Sequence, residues 1–245
     1  MQLHIHANAD ELGRNAAEAA AAYLNDCIRE KGKARLVLST GASQFEFLAH
    51  FIEQPVDWSA VEMFHLDEYI GLPISHPASF RKYLIERFIT RVPLKRAYLI
   101  DGESNPSEII QQLEAALAEG EIDLGLIGIG ENAHIAFNDP PADFDTRSAY
   151  KVVDLDNDCK AQQVREGWFP SLADVPAQAI SMTVFGIMSC RRIVSVVPRP
   201  SKANAILNTM ESDVSPLVPA TILKRHADWS LYLDRDSSAL LPVKS

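Results

Sequence analysis

The side chains that can move protons crowd into one stretch of this chain. Residues 122–141 read Ile-Asp-Leu-Gly-Leu-Ile-Gly-Ile-Gly-Glu-Asn-Ala-His-Ile-Ala-Phe-Asn-Asp-Pro-Pro. The first half is apolar and uncharged after Asp123, which suits a strand buried on both faces of a parallel sheet. Gly128 and Gly130 free the backbone for an unusual turn, and Glu131, Asn132, His134, Asn138 and Asp139 follow at once. An adjacent acidic pair, Asp67-Glu68, follows the strand expected at 61–66. Asp67 and His134 need modest pKa adjustment to act as acid or base near neutral pH.

Two further segments carry groups suited to an anion. Ser39-Thr40-Gly41-Ala42-Ser43 follows an apolar strand and opens a helix. Free N–H groups and the helix dipole make such a turn a phosphate cradle, with plain capping by Ser43 as the alternative. The spacing Ser43-x-x-Glu46 predicts a capping box for a helix over 44–53. Lys202 stands near the start of another helix and is a phosphate clamp or a solvated lysine. Two other patterns carry less. Gly128-x-Gly130-x-x-Ala133 fits the loose dinucleotide fingerprint, but Pro140-Pro141 leaves no room for the helix that motif needs. His4 and His6 share one face of a short strand, where no cysteine or carboxylate completes a metal site.

These segments need a scaffold, and the rest of the chain predicts one. Strands are expected at 2–6, 34–39, 61–66, 96–100, 122–128, 149–155, 179–184, 192–197 and 229–233. Helices are expected at 10–31, 44–53, 79–89, 106–119, 156–167, 200–210 and 219–225. Strands alternate with helices without a long linker or repeat. The alternation predicts one doubly wound α/β domain over 1–245, with a mostly parallel central sheet flanked by helices.

Composition narrows the classes of partner. The chain has 245 residues, 47% hydrophobic and 23% charged, with a formal net charge of -10. Nucleic acid and anionic membrane are therefore unexpected partners. No apolar run spans a bilayer, and no signal-peptide layout opens the chain. Cys27, Cys159 and Cys190 read as reduced thiols of a cytoplasmic protein, with no zinc site.

Four ordered segments resemble one family. Leu66-Asp-Glu-Tyr-Ile-Gly-Leu72 and Gly128-Ile-Gly-Glu-Asn-Ala-His-Ile-Ala-Phe-Asn-Asp-Pro140 resemble the hallmark segments of glucosamine-6-phosphate deaminases (isomerases). Ser39-Thr40-Gly41 resembles their phosphate loop, and Pro200-Ser201-Lys202 their lysine-bearing segment. The 6-phosphogluconolactonases share the superfamily, but carry Asp-Glu-Arg in place of Asp67-Glu68-Tyr69 and Gly-His-Thr-Ala in place of Ala133-His134-Ile135-Ala136.

The resemblance implies isomerisation and deamination of a 2-amino-2-deoxyhexose 6-phosphate, glucosamine 6-phosphate or a close epimer. His134 would assist ring opening, Asp67 would move the C2 proton, and ammonia would leave. The phosphate would sit on the turn from Ser39 through Thr40, Gly41 and Ala42 to Ser43, and on Lys202, with Glu68 beside the substrate. No metal or organic cofactor is implied; the partner is a small sugar phosphate, and a homo-oligomer is left open.

The chain also departs from the family pattern. Asn132 stands where an Asp is usual, Ala133 and Ala42 where Gly is, Asp139 for Glu and Gln44 for Pro. Partnership with the histidine then falls to Glu131 or Asp139. The family's phosphate arginine falls within 162–167, where Arg165 is the one candidate. A lactone hydrolase and a non-catalytic sugar-phosphate binder are the alternatives. The sensor form of the latter would carry a DNA-binding domain, for which no room is expected before the first strand.

Overall fold

The computed structural model describes residues 1–242. Seven strands form a parallel sheet: β1 (Gln2–His6), β2 (Ala34–Leu38), β3 (Val61–His65), β5 (Arg96–Tyr98), β6 (Leu124–Leu126), β9 (Arg192–Val197) and β10 (Trp229–Asp234). Their order across the sheet is β1-β10-β9-β6-β2-β3-β5. The chain builds outward from β2 to β3 and β5, then returns to lay β6 on the other side of β2. Parallel crossovers are right-handed, so reversing the direction of winding sends later helices to the opposite face.

The two cores show that reversal. Leu36, Leu38, Met63, Leu124, Leu126, Val194 and Val196 pack with α1 (Ala9–Lys31), α2 (Phe45–Phe51) and α3 (Phe80–Leu84). On the opposite face, Val37, Phe64, Ile193, Val197, Leu231 and Leu233 pack with α4 (Pro106–Ala118), α6 (Val184–Met188) and α7 (Ala203–Glu211). The alternation along each strand is the period of two expected of a pleated sheet covered on both faces. The doubly wound fold is thus as the sequence predicts.

The first helix shows how sequence fixes one of these layers. Asn8 caps α1 by accepting from Glu11 N–H, and Gly32 closes it at φ 71°. Leu12, Ala16, Ala20 and Leu24 form its buried stripe. Gly13 lets α2 approach closely, since a Cβ there would lie 2.8 Å from Phe47 N.

A second sheet sits apart from the first. β4 (Asp67–Tyr69), β8 (Gln178–Met182) and β7 (Tyr150–Asp154) run antiparallel in the order β4-β8-β7. Asp67-Glu68-Tyr69 is therefore a separate short strand rather than the end of β3. Tyr150 OH donates to the carbonyl of His65 at 2.7 Å, and Met182 N–H to that of Leu66 at 2.8 Å. These bonds fix the elbow between β3 and β4, and so the place of Asp67. The remaining helix, α5 (Asn157–Arg165), is capped by Asp156.

Other expectations shift in detail. The predicted helix over 79–89 divides into α3 and a π-helical turn, Ile85–Ile89. The segment Pro219–Arg225 is 3-10 rather than α-helical. The capping box does not form: no side chain caps α2, and the Glu46 carboxylate is bound by Arg199 instead. His4 and His6 stack on Tyr232, with ring centroids 4.5 and 5.9 Å away. Among the described residues no helix is long and apolar enough to cross a membrane.

Gly13→Ala should force α1 and α2 apart. Its urea midpoint should fall with unchanged slope, by on the order of 1–3 kcal/mol of stability.

Candidate active site

The carboxyl ends of β2 and β6 lie side by side where the winding reverses, the place where open α/β sheets bind ligands. Ser39 N–H donates to the Leu126 carbonyl at 2.9 Å and joins the two loops. After Ser39 the chain turns at Gly41, φ 102°, into the 3-10 turn Ala42–Gln44. Gln44 Nε2 pins that turn to the Val196 carbonyl at 3.0 Å, and Tyr83 OH binds the Gly41 carbonyl at 3.0 Å. Ser39, Thr40, Gly41, Ala42 and Ser43 all line one cleft. Ser39 Oγ is buried there without a hydrogen-bond partner.

The loop after β6 brings the histidine to the same cleft. Gly130 N–H donates to the His134 carbonyl at 2.9 Å, and Ala133 N–H to the Gly130 carbonyl at 3.0 Å. Ala133 sits at φ 65° and Ala136 at φ 50°, a region that L side chains occupy at a cost of about 1 kcal/mol or more. A glycine before the histidine would hold that conformation without strain. Asn138 holds the loop by donating to the Ile135 and Met182 carbonyls at 2.8 and 2.9 Å. No helix follows Gly130, so the dinucleotide layout is absent here.

His134 lines the cleft, and its Nδ1 lies 3.1 Å from Asp139 Oδ1, outside hydrogen-bond geometry. Burial works to raise Asp139, but its contacts with His134 and Asn132 outweigh it and hold the carboxyl below the usual range. Asn132 has two tasks. Its Oδ1 accepts from His134 N–H at 3.1 Å, and its Nδ2 donates to Asp139 Oδ1 at 3.3 Å. Glu131 lines the cleft but pairs with Arg165 at 2.8 Å, so Asp139 is the carboxylate beside the imidazole.

Asp67 reaches the cleft from β4, paired in register with Ser181. It is buried, and desolvation followed by the adjacent Glu68 charge pushes its carboxyl up to about 8. A carboxyl held near the working pH suits a general base. Glu68 points away from the cleft. It accepts from Tyr69, Phe80 and Arg81 N–H and from Ser79 Oγ at 2.7–3.2 Å, anchoring the start of α3. Its expected place beside the substrate is therefore corrected to a structural one.

The cationic side differs from expectation as well. Lys202 lines the cleft and is 6% exposed. Burial lowers its pKa, against the opposing pull of Glu166 and Glu131. Arg165 is not among the lining residues, and its side chain is 59% exposed. One turn of α5 places Gln162 and Gln163 toward the cleft instead. The arginine that does line it is Arg199, three residues before Lys202, which the sequence reading passed over. The signal was its sequence proximity to that lysine.

His134, Asp139 and Cys159 bring one possible ligand atom each within 4.8 Å of one another. Burial raises the Cys159 thiol and keeps it protonated, so it contacts the pair as a weak donor rather than as a thiolate.

Two outcomes test this geometry. A Cβ on Gly130 would lie 2.3 Å from the His134 ring. Gly130→Ala should thus lower turnover by about a hundredfold with an unchanged circular dichroism spectrum. Asp67 binds its proton more tightly folded than unfolded. It therefore stabilises the fold below its ordinary value of 3.8, and that contribution is lost as pH rises through about 8. Asp67→Asn should melt above the wild type at pH 9, with the gap closing toward pH 4.

Residues 7–231 match the model of the family described as glucosamine-6-phosphate isomerases/6-phosphogluconolactonase. A glucosamine-6-phosphate deaminase of Streptococcus pneumoniae serotype 4 is 33% identical over 220 residues, covering 88% of this chain and 93% of that one. One from Lactobacillus delbrueckii subsp. bulgaricus is 32% identical over 242 residues, covering 98% and 100%. A solved monomeric glucosamine-6-phosphate deaminase superposes with a TM-score of 0.89 at 29% identity, covering 98% and 100%. A putative 6-phosphogluconolactonase from Neisseria gonorrhoeae shares the fold, with a TM-score of 0.74 at 19% identity over 96% and 99%. The chain belongs to the glucosamine-6-phosphate isomerase/6-phosphogluconolactonase family.

Proposed function

We propose that this enzyme converts glucosamine 6-phosphate, or a close epimer, and water to fructose 6-phosphate and ammonia. One observation carries the reading: a buried carboxyl held near neutral pH, Asp67, shares a cleft with His134 and with the hydroxyl turn and Lys202. A lactone has no C2 proton that must be moved, and gives Asp67 nothing to do.

The chemistry follows from these groups. The 6-phosphate sits on Ser39, Thr40, Gly41, Ala42 and Ser43, with the Lys202 ammonium beside it. His134 Nε2 delivers a proton to the ring oxygen and the sugar opens to the aldehyde. Asp139, 3.1 Å from Nδ1, orients the imidazole. Asp67 takes the C2 proton, giving an enolamine, and returns it to C1. Water adds to the resulting C2 imine, the nitrogen leaves as ammonia, and a ketose phosphate remains. Each step is a proton transfer or hydration between positioned groups, and positioning supplies much of the acceleration. Free thiols at Cys27, Cys159 and Cys190 support a cytoplasmic setting.

Purified protein given glucosamine 6-phosphate should release ammonia, and Asp67→Asn should abolish it. kcat/KM should rise with pH along an acid limb near 8, because Asp67 acts when deprotonated. Hydrolysis of 6-phosphogluconolactone without ammonia release would overturn the reading.

A further inference from the structure

Arg199 is built in an unusual way. It holds φ 85° and ψ 150°, a strained conformation for an L residue. Its N–H donates to Asp234 Oδ2 at 2.9 Å, and the buried Asp234 is itself fixed by Ser237 N–H at 2.7 Å. The strained backbone is thus supported from below, and the side chain lines the cleft beside Lys202 and the hydroxyl turn. Its Nη2 binds both oxygens of Glu46, at 2.9 and 3.2 Å. Glu46 lies on α2, two residues beyond the 3-10 turn that would hold the phosphate.

We infer that Glu46 is an internal competitor for phosphate: its carboxylate holds Arg199 in the free protein, and an arriving phosphate takes Arg199 over. The inference rests on reading this cleft as a sugar-phosphate site. Both partners are about one-third exposed, 38% and 31% by side chain, so the ion pair is weak and open to exchange. A phosphate offers more negative charge and three acceptor oxygens, and a guanidinium can meet two of them at once. Lys202 alone balances the phosphate poorly, because Glu131 and Glu166 line the same cleft. Arg165, paired with Glu131, does not reach the cleft. Arg199 supplies the second positive charge.

Calorimetric titration of the free protein with inorganic phosphate tests the exchange, with glucosamine 6-phosphate and unphosphorylated glucosamine run beside it. Glu46→Gln should tighten phosphate by about two- to fivefold. Arg199→Met should weaken it by about tenfold or more, and Arg199→Lys by less. In the Arg199→Met background, Glu46→Gln should give no tightening, and none of the variants should alter glucosamine binding. Unchanged or weaker phosphate binding by Glu46→Gln overturns the inference. So does equal tightening with Arg199 absent, or no phosphate binding by the wild type. Phosphate binding with the expected pattern but no ammonia release would preserve the exchange and remove the proposed reaction.

Discussion

The cleft exists because two parallel strands leave the sheet in opposite directions from adjacent positions. β2 feeds rightward to β3, β6 feeds leftward to β9, and the Ser39 to Leu126 hydrogen bond holds their ends together. Loops from such a pair cannot cover one another, so a crevice opens between them. The anion turn comes from the first strand and the histidine loop from the second. A change in strand order would separate the two halves of the chemistry even with every side chain retained.

Around that crevice the protein carries charge where charge is expensive. Asp67 and Lys202 are both buried, and burial disfavours the charged form of each. Glu68, which faces away from the cleft, is well satisfied by contrast. Glu68 has four hydrogen-bond donors within 3.2 Å. The adjacent acids on β4 thus divide the labour. One is left short of partners and is reactive, while its neighbour is saturated and structural. Opposite pointing of successive side chains on a strand is enough to cause this division.

Much of this was legible in the sequence. Long amphipathic helices, apolar strands and glycine turns at strand ends carry strong local signals, and they placed Ser39, Asp67, His134 and Lys202 in segments that follow strands. What escaped has a common cause: side-chain direction depends on tertiary contacts. β4 is three residues long and pairs with a strand more than a hundred residues away. The spacing Ser43-x-x-Glu46 satisfied a local rule, yet the carboxylate was claimed by Arg199, 153 positions on. Arg165 lay in the expected window but on the wrong side of α5, and no local pattern separates one face of that short polar helix from the other.

Asn132 and Asp139 together form a matched pair with consequences for how this sequence can vary. The amide donates to the carboxylate at 3.3 Å. An aspartate at 132 would set two carboxylates at that distance, and one would take up a proton. The imidazole would then lose the fully charged carboxylate beside Nδ1. A longer acid at 139 would move its oxygens away from both the amide and Nδ1. Neither position can therefore change alone without disturbing the contact between them. The two positions are coupled, and a change at one alters what the other must supply to the histidine.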